Sequence, residues 1–395
     1  MKNTLVLFHS VPDYSGNARA LYEYAKANCP GYDCLWLVDR SHTTEWLSAQ
    51  GVKCLFRHSF PGLVALLRAE AVVLTHGGNT TRPWWKIFGY VFRMLLGQQP
   101  VPTVLYLGHG RGPKGTGNTN RDESEWRRRN LIPDVGKRYF ISKSLLVSYL
   151  IAVSDAIHPS RIFITGEPRN DWLLTDDGRA NLEKILGLRI EGRRVILWVP
   201  TFRDNAKASG RQGGIPLPDH IRAVVDSAEL VRFLKERDAI FVLKLHPYEE
   251  HFADSLRNLV RPPLYILDSR DFQRANLDLY QILGGVDLLI TDYSSVYIDF
   301  LLLDRPVVFY LPDLAHYREI RGFKLEPLEF WMPGPRVSTM EELVTRLDMC
   351  LSDPSKYRQE RRLVASLMHR YKDARSAERV WNELEALLTG RGRSS

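Results

Sequence analysis

Leu288-Leu-Ile-Thr-Asp-Tyr-Ser-Ser295 is the most informative stretch of this sequence. Its apolar run stops at Thr291-Asp292, and two hydroxyl residues then open a segment with helical spacing, which predicts a buried strand that leads into a helix. The free N–H groups of a first helical turn carry about half a positive charge, and Ser294 and Ser295 can add hydroxyl donors to a phosphate. The alternative is that the two serines only cap the helix.

The composition is that of an ordinary globular protein, with 395 residues, 44% of them hydrophobic and 25% charged. This length is enough for two domains, each with its own core. The formal net charge of +8 suits an anionic partner, whether nucleotide phosphate, phosphopolymer, anionic membrane or nucleic acid, but selects none of them. The four cysteines, Cys29, Cys34, Cys54 and Cys350, form no Cys/His ligand pattern, so we expect reduced thiols and no zinc site.

Short apolar runs alternate with helix-like segments, which is typical of parallel α/β domains. In the first half the runs predict strands at Thr4–Phe8, Cys34–Val38, Ala71–Thr75, Thr103–Leu107 and Arg161–Thr165, with helices such as Ala18–Lys26, Leu63–Arg68 and Leu145–Val153. After a polar interval the runs resume at Val195–Val199, Ile240–Leu245, Leu264–Leu267, Leu288–Thr291 and Pro306–Tyr310. We predict two parallel-sheet domains, residues 1–180 and 190–375, followed by a C-terminal helix and frayed tail at 376–395.

A glycine-rich basic loop, Gly108-His-Gly-Arg-Gly-Pro-Lys-Gly115, follows the fourth predicted strand. Ligands of parallel sheets bind outside the carboxyl ends of the strands, so residues in this position are candidates for binding or catalysis. Glycines let the backbone approach a ligand, and His109 can exchange a proton near neutral pH. The alternative is a flexible turn with a structural histidine.

Three more polar clusters follow strands in the second half. Pro200-Thr-Phe-Arg-Asp204 and Lys244-Leu-His-Pro247 come after its first two strands, and the run from Asp313 to Phe323 contains Arg318 and Arg321, which could clamp a phosphate. The alternatives are a surface ion pair between Arg203 and Asp204, a histidine held structurally by the Pro247 turn, and a solvated helix with an Arg318–Glu319 face.

Taken in order, these motifs resemble the CDP-glycerol glycerophosphotransferase family, the teichoic-acid primases and polymerases. Thr291-Asp-Tyr-Ser-Ser295 followed by Asp299-Phe300, Arg305-Pro306 and the run from Asp313 to Phe323 is similar to the family signature. The other matching blocks are His109-Gly110, Gly166-Glu-Pro-Arg-Asn-Asp171, Pro200-Thr-Phe-Arg-Asp204, Lys244-Leu-His246 and Asp373-Ala-Arg-Ser-Ala-Glu-Arg379. The resemblance covers about residues 100 to 380 and implies a GT-B architecture, two Rossmann-like domains facing across a cleft, with acceptor in the N-terminal domain and nucleotide in the C-terminal one.

The chain departs from the family pattern at three places. Its first histidine block reads Gly108-His-Gly-Arg-Gly-Pro-Lys114 where the family usually has Trp-His-Gly-Thr-Pro-Leu-Lys. Lys244 stands two residues before the second histidine where the family usually has Arg, and Ala374 follows Asp373 where Gly is common. These departures leave the donor class as the resemblance implies it and point to a reshaped acceptor side.

The resemblance and the chemistry together imply a mechanism. An acceptor hydroxyl loses a proton as it attacks the β-phosphorus of a CDP-alcohol, and CMP leaves. We expect His109 to be the general base and His246 to be the second catalytic residue. The other expected site residues are Lys244, Ser294, Ser295 and Arg321 at the pyrophosphate with His246, Thr201 and Arg203 along the nucleotide, and Arg111, Lys114, Arg169 and Asp292 on the acceptor side or as loop supports.

The implied donor is CDP-glycerol or another CDP-alcohol, and no obligatory metal or other cofactor is expected. In this sequence no Asp-x-Asp pair follows a strand in the manner of a metal-bridged nucleotide site. The expected function is transfer of glycerol phosphate to a hydroxyl of a lipid-linked or polymeric cell-surface acceptor such as teichoic acid or a capsule polysaccharide. A glycosyltransferase that uses a nucleotide sugar is the alternative. A basic nucleic-acid-binding protein fits the charge but not the motif order, so no nucleic-acid partner is expected.

The segment 83–97 bears on location. Apolar residues, including Trp84, Trp85 and Phe88, occupy most of its helical wheel, while Lys86 and Arg93 lie on a narrow polar stripe. We expect this helix to lie in the membrane interface, and the alternative is a helix buried in the N-terminal domain. The start of the chain has too short an apolar run for a secretion signal, and no later span has membrane length. The expected location is therefore the cytoplasm, peripherally at the inner face of the membrane.

Overall fold

The computed structural model describes residues 4–75, 102–108, 110, 112–113, 138–202, 217–320 and 322–390. The chain divides into two compact units. The first contains Met1–Arg111, Ser124–Thr175 and Met368–Ser395, and the second contains Gly112–Glu123 and Asp176–Leu367. The C-terminal segment therefore returns to the first unit, where Trp381 and Leu384 are part of the buried core.

The first unit is built on a parallel sheet of seven strands. They are β1 (Thr4–His9), β2 (Tyr32–Val38), β3 (Cys54–Phe56), β4 (Ala71–Leu74), β5 (Thr103–Tyr106), β6 (Arg138–Ser142) and β7 (Ile162–Ile164). Their order in the sheet is β3-β2-β1-β4-β5-β6-β7. The order reverses between β1 and β4, which is the arrangement of a doubly wound Rossmann-like sheet.

The second unit repeats this plan with six parallel strands. They are β8 (Arg194–Val199), β9 (Ala239–Lys244), β10 (Leu264–Leu267), β11 (Leu288–Thr291), β12 (Val307–Tyr310) and β13 (Arg336–Val337). The order is β10-β9-β8-β11-β12-β13, so the switch point lies between β8 and β11. Ile290 pairs with Trp198 across it, and both side chains are buried. Two parallel-sheet α/β units confirm the predicted fold class.

Helices connect the strands, as parallel pairing requires. In the first unit they are α1 (Gly16–Asn28), α2 (Ser41–Ala49), α3 (Phe60–Arg68), α4 (Leu145–Asp155) and α5 (Arg169–Thr175). The following helices are α6 (Gly178–Leu186), α7 (Asp219–Val225), α8 (Ala228–Glu236), α9 (Ala253–Leu259), α10 (Ser269–Ala275), α11 (Leu279–Leu283), α12 (Val296–Phe300), α13 (Leu314–Ile320), α14 (Leu328–Trp331), α15 (Met340–Ser352), α16 (Arg358–Met368) and α17 (Ser376–Thr389). Within the described ranges, no helix combines the length and apolarity that crossing a membrane requires.

Side-chain caps fix several helix starts. Asp268 and Asp271 form a capping box at α10, and Thr339 and Glu342 form another at α15. Each box satisfies backbone N–H groups that have no partner inside the helix. The polar interval before the second domain contains a capped helix, α6. The side chain of Asp177 accepts a hydrogen bond from the N–H of Ala180 at its start.

The sequence prediction missed three strands, β3, β6 and β13. The first and last have only three and two residues, too few for a periodic pattern to be visible. Strand β6 begins with Arg138, and only its last two residues are buried, so it lacks the continuous apolar run of a central strand. All four cysteines are free thiols, and burial raises the pKa of Cys34 to about 12 and that of Cys350 to about 11.

Candidate functional site

Asp292 ties together the two strand ends that flank the switch point of the second unit. Its carboxylate accepts hydrogen bonds from the backbone N–H of Thr201 at 2.9 Å, from the Thr201 hydroxyl at 2.5 Å, and from the backbone N–H of Tyr293 at 2.6 Å. Asp292 is 2% exposed. Because these donors satisfy the carboxylate inside the protein, the contacts support a loop-fixing role for Asp292. They also commit the Thr201 hydroxyl hydrogen to Asp292.

Ser294 and Ser295 stand at the start of α12 with their side chains half-buried. Ser295 is the N-cap residue, but its side chain accepts no capping hydrogen bond from the described first turn. The Ser294 hydroxyl accepts only a long contact, 3.5 Å from the N–H of Val296. Capping therefore does not account for both hydroxyls. Since α12 has only five residues, an anion bound at its start would be stabilised more by the local N–H groups and hydroxyls than by the dipole of a long helix.

Gly112 and Pro113, which belong to the second unit, lie against this segment. A Cβ atom placed on Gly112 would be 3.0 Å from the Cα atom of Ser295, closer than side chains normally approach backbone. The carbonyl of Pro113 accepts a hydrogen bond from the N–H of Lys324 at 2.8 Å. A side chain at position 112 would therefore press on the Ser295 backbone, and glycine avoids this contact.

An aromatic cluster holds the chain on both sides of position 321. The rings of Tyr293 and Tyr317 stack with centroids 3.8 Å apart, and Phe323 packs 5.6 Å from Tyr293. The Tyr293 hydroxyl also donates to Asp313 at 3.1 Å. These contacts fix residues 317 and 323 beside the Ser294 segment. In the same region Arg318 pairs with Glu326 at 3.6 Å, in place of the Arg318–Glu319 face considered from the sequence.

His246 follows β9 and begins a 3-10 turn, Pro247–Phe252. Its Nδ1 accepts a hydrogen bond from the N–H of Tyr248 at 3.3 Å, so the neutral ring carries its hydrogen on Nε2. That N–H can donate to a phosphate oxygen. Phe202 packs on the same imidazole, with the ring centroids 5.6 Å apart. The turn thus accounts for the orientation of the His246 ring through its Nδ1 atom.

Lys244 is a predicted phosphate ligand whose side chain is mostly buried. Its ammonium is 3.9 Å from the Glu250 carboxylate, and its side chain is 13% exposed. Burial lowers the pKa of Lys244, while the carboxylates of Glu250, Asp278 and Asp268 oppose that effect. Because Glu250 already balances the charge of Lys244, the structure supports a pyrophosphate-binding role for Lys244 less strongly than it does for Ser294 and Ser295.

In the first unit, Arg169 is 6% exposed and its guanidinium pairs with Glu167 at 2.8 Å. This contact supports its expected role as a loop support. Five other predicted site residues lie outside the described residues, namely His109, Arg111, Lys114, Arg203 and Arg321. Segment 83–97 also lies outside them. Their assignments stay predictions.

One group in the described ranges has the donor types and spacing that a metal ion needs. The ligand atoms of His9, Asp13 and Asp39 lie within 4.8 Å of one another in the first unit. Arg57 pairs with Asp39 at 2.8 Å, and the N–H of Asp39 donates to Asp13 at 3.0 Å. Since these contacts already satisfy both carboxylates, the group is equally well explained as a structural ion-pair network.

Comparison with known proteins finds relatives that are named as teichoic acid polymerases, transferases or primases. The chain is 29% identical over 361 residues to the teichoic acid poly(glycerol phosphate) polymerase of Bacillus subtilis (strain 168), covering 87% of this chain but 43% of that protein. It is 26% identical over 392 residues to the teichoic acid glycerol-phosphate transferase of Staphylococcus aureus (strain NCTC 8325 / PS 47), covering 94% of this chain and 90% of that protein.

A solved structure of the wall teichoic acid polymerase TagF has the same fold. The TM-score is 0.75 at 19% sequence identity, and the match covers 99% of this chain and 90% of that chain. The profile of the family described as CDP-Glycerol:Poly(glycerophosphate) glycerophosphotransferase matches residues 1–386. The order of motifs, the two doubly wound sheets and this match lead to one conclusion: the chain belongs to the CDP-glycerol:poly(glycerophosphate) glycerophosphotransferase family.

Proposed function

We propose that this protein transfers glycerol phosphate from CDP-glycerol to a hydroxyl of a teichoic-acid-type acceptor and releases CMP. The observation that carries the proposal is the switch point of the second unit in a chain of this family. There Asp292 fixes the backbone, and the Ser294 and Ser295 hydroxyls remain available to an anion. The names of the relatives, which are teichoic acid polymerases and transferases, support the acceptor class.

The proposed chemistry gives most of the predicted residues a role. His109 takes the proton of the acceptor hydroxyl as its oxygen attacks the β-phosphorus of the donor, and the bond from that phosphorus to the bridging oxygen breaks. CMP keeps the electron pair and the added charge. The N–H of His246, the two serine hydroxyls, and the cations Lys244, Arg203 and Arg321 stabilise that charge. Residues 1–180 hold the acceptor and residues 190–375 hold the nucleotide in this proposal, with Thr201 supporting the nucleotide loop and Arg111 and Lys114 on the acceptor side.

A donor panel tests the proposal. The protein is incubated with acceptor and with CDP-glycerol, CDP-ribitol or a UDP-sugar, and nucleotide release is measured. We expect acceptor-dependent CMP release that is fastest with CDP-glycerol. Release of UDP alone would support the glycosyltransferase alternative, because that reaction can use the same phosphate-binding architecture. Faster turnover of CDP-ribitol would retain the reaction class but change the polyol.

We expect turnover to continue when metal ions are removed. The proposed charge stabilisation comes from side-chain cations, hydroxyls and backbone N–H groups, which do not require a bound ion. Rates measured before and after incubation with EDTA should agree within about twofold, a difference too small for loss of a Lewis acid worth several kcal/mol. Complete loss of activity that magnesium restores would contradict this prediction. The His9, Asp13 and Asp39 group would then be the first place to substitute.

We further propose that the protein works at the cytoplasmic face of the membrane and that segment 83–97 contacts the lipid. Its adjacent tryptophans and basic stripe suit an anionic interface. Wild-type protein should co-sediment with vesicles that contain anionic lipid, and changing Trp84 and Trp85 together to Ser should reduce the bound fraction about tenfold or more, since two large apolar side chains would be lost. A Phe60→Ser variant, which removes an exposed aromatic side chain outside this segment, is the matched control. Undiminished binding of the double variant, or no binding of wild type, would refute the contact.

A further inference from the structure

The Asn17 side chain contacts Leu107 and Gly108, the two residues that precede His109 in the sequence. It is the second residue of α1 and is fully buried. Its amide nitrogen donates to the carbonyl of Leu107 at 3.3 Å and to the carbonyl of Gly108 at 3.1 Å. These two carbonyls directly precede His109 in the chain. One side chain, 90 residues away in sequence, therefore holds the backbone that leads into the proposed base.

A second set of contacts fixes the orientation of the Asn17 amide. Its oxygen accepts a hydrogen bond from the N–H of Arg169 at 3.2 Å, at the start of α5. Its nitrogen also lies 3.3 Å from the Glu167 carboxylate. Donor and acceptor ends thus face complementary partners, so the amide cannot be reversed without placing its oxygen against two carbonyls and a carboxylate.

Glu167 is itself held by two buried cations. Arg169 contacts it at 2.8 Å and Lys143 at 3.6 Å, and all three side chains are at least nine-tenths buried. Such a network holds a single geometry, because moving one member would leave buried charge without its partner. The support under Asn17 is therefore rigid.

The backbone beside His109 needs that support. Gly108 and Gly110 have φ angles of +66° and +112°. Glycine reaches these conformations without strain, but it also has the greatest freedom to leave them. A loop with glycine on both sides of its one imidazole holds that imidazole in place only if something else fixes the backbone.

We infer that Asn17 is a positioning residue, which acts by fixing the Leu107 and Gly108 carbonyls so that His109 meets the acceptor hydroxyl in a reactive geometry. The inference rests on the proposed role of His109 as general base. A misplacement of about 1 Å can reduce a rate about 100-fold, so loss of this anchor should affect the chemical step. Donor affinity should not change, since the donor residues belong to the second unit.

The experiment uses the full chain with Asn17→Ala and with Asn17→Asp, which keeps the side-chain shape but turns an oxygen toward the two carbonyls. CDP-glycerol binding is titrated to count functional sites, and rates are expressed per site. We expect kcat per site to fall about 10- to 100-fold in both variants, with the Kd for CDP-glycerol unchanged within about twofold. Asn28→Ala is the matched control, because Asn28 lies exposed on the same helix and its amide also donates to a backbone carbonyl, that of Tyr24.

A second comparison separates positioning from general stability. In the His109→Ala background, Asn17→Ala should change the residual rate by less than about twofold, because residues that act as a unit are not additive. An equal loss in both backgrounds would overturn the inference, as would an unchanged kcat per site in the single variants. Failure of the proposed role of His109 is distinguished by the His109→Ala single variant, which would then retain its activity whatever Asn17 does. Failure of the proposed function is distinguished by the wild-type protein, which would then release no CMP from CDP-glycerol.

Discussion

Replacing His109 with Ala should lower the rate of glycerol phosphate transfer by about 100- to 10,000-fold, the range that a positioned general base contributes. The acceptor hydroxyl would then have to lose its proton to water while it attacks phosphorus. CDP-glycerol should still bind with wild-type affinity, because His109 belongs to the first unit and the proposed donor ligands belong to the second. The loss should appear in kcat, measured by CMP release, and not in donor Kd, measured by calorimetry.

His42→Ala is the matched control for this prediction. His42 lies exposed on α2, so its removal should leave both parameters unchanged within about twofold. Retained turnover in His109→Ala would remove His109 from the role of base. A large loss of donor affinity in the same variant would instead assign it to the donor site.

Asp292→Ala should be the most damaging substitution at the switch point. It would leave two backbone N–H groups, those of Thr201 and Tyr293, and one hydroxyl without their buried acceptor. Each buried unsatisfied group costs about 1–3 kcal/mol, so we expect the free energy of unfolding to fall by about 3 kcal/mol or more. The KM for CDP-glycerol should also rise, since the Ser294 segment loses its anchor. Urea denaturation and donor titration measure the two effects.

Asp292→Asn separates the two roles of this residue. One amide oxygen can replace the carboxylate oxygen that accepts from Tyr293 and the Thr201 hydroxyl, while the NH2 group would face the N–H of Thr201. A loss of about 1–2 kcal/mol is expected, smaller than for Ala. Asp226→Ala, an exposed aspartate at the end of α7, should cost less than about 0.5 kcal/mol. Equal stability of Asp292→Ala and this control would contradict the loop-fixing role.

Periodicity and strand-end position were enough to predict most of the fold. Leu264–Leu267 and Leu288–Thr291 have the predicted bounds, because each is a short buried apolar run next to polar residues. The three strands that were not predicted lack such a run, because β3 and β13 are too short and β6 begins with a charged residue. The return of the C-terminal helix to the first unit was not predicted either, because its amphipathic pattern does not reveal which core it packs on.

The sequence allowed a candidate site to be proposed as a set of residue types but not as a set of contacts. The sequence indicated Ser294, Ser295 and His246 through their position after strands. It could not indicate that Glu250 pairs with Lys244 or that the Thr201 hydroxyl is committed to Asp292, since such pairs depend on side-chain direction. Asn17 gave only a weak signal, a polar residue at the start of the first helix. Its partner carbonyls are 90 and 91 residues away, a distance that no local pattern spans.

The central claim is that the chain moves glycerol phosphate as a unit from CDP-glycerol to an acceptor hydroxyl. The most direct measurement uses CDP-glycerol labelled in the glycerol and a short glycerol-phosphate oligomer as acceptor, with CMP and product mass followed together. We predict one CMP for each glycerol phosphate added, with the label in the product. Unchanged CDP-glycerol alongside turnover of a UDP-sugar, or CMP release in which the label stays off the acceptor, would contradict the claim.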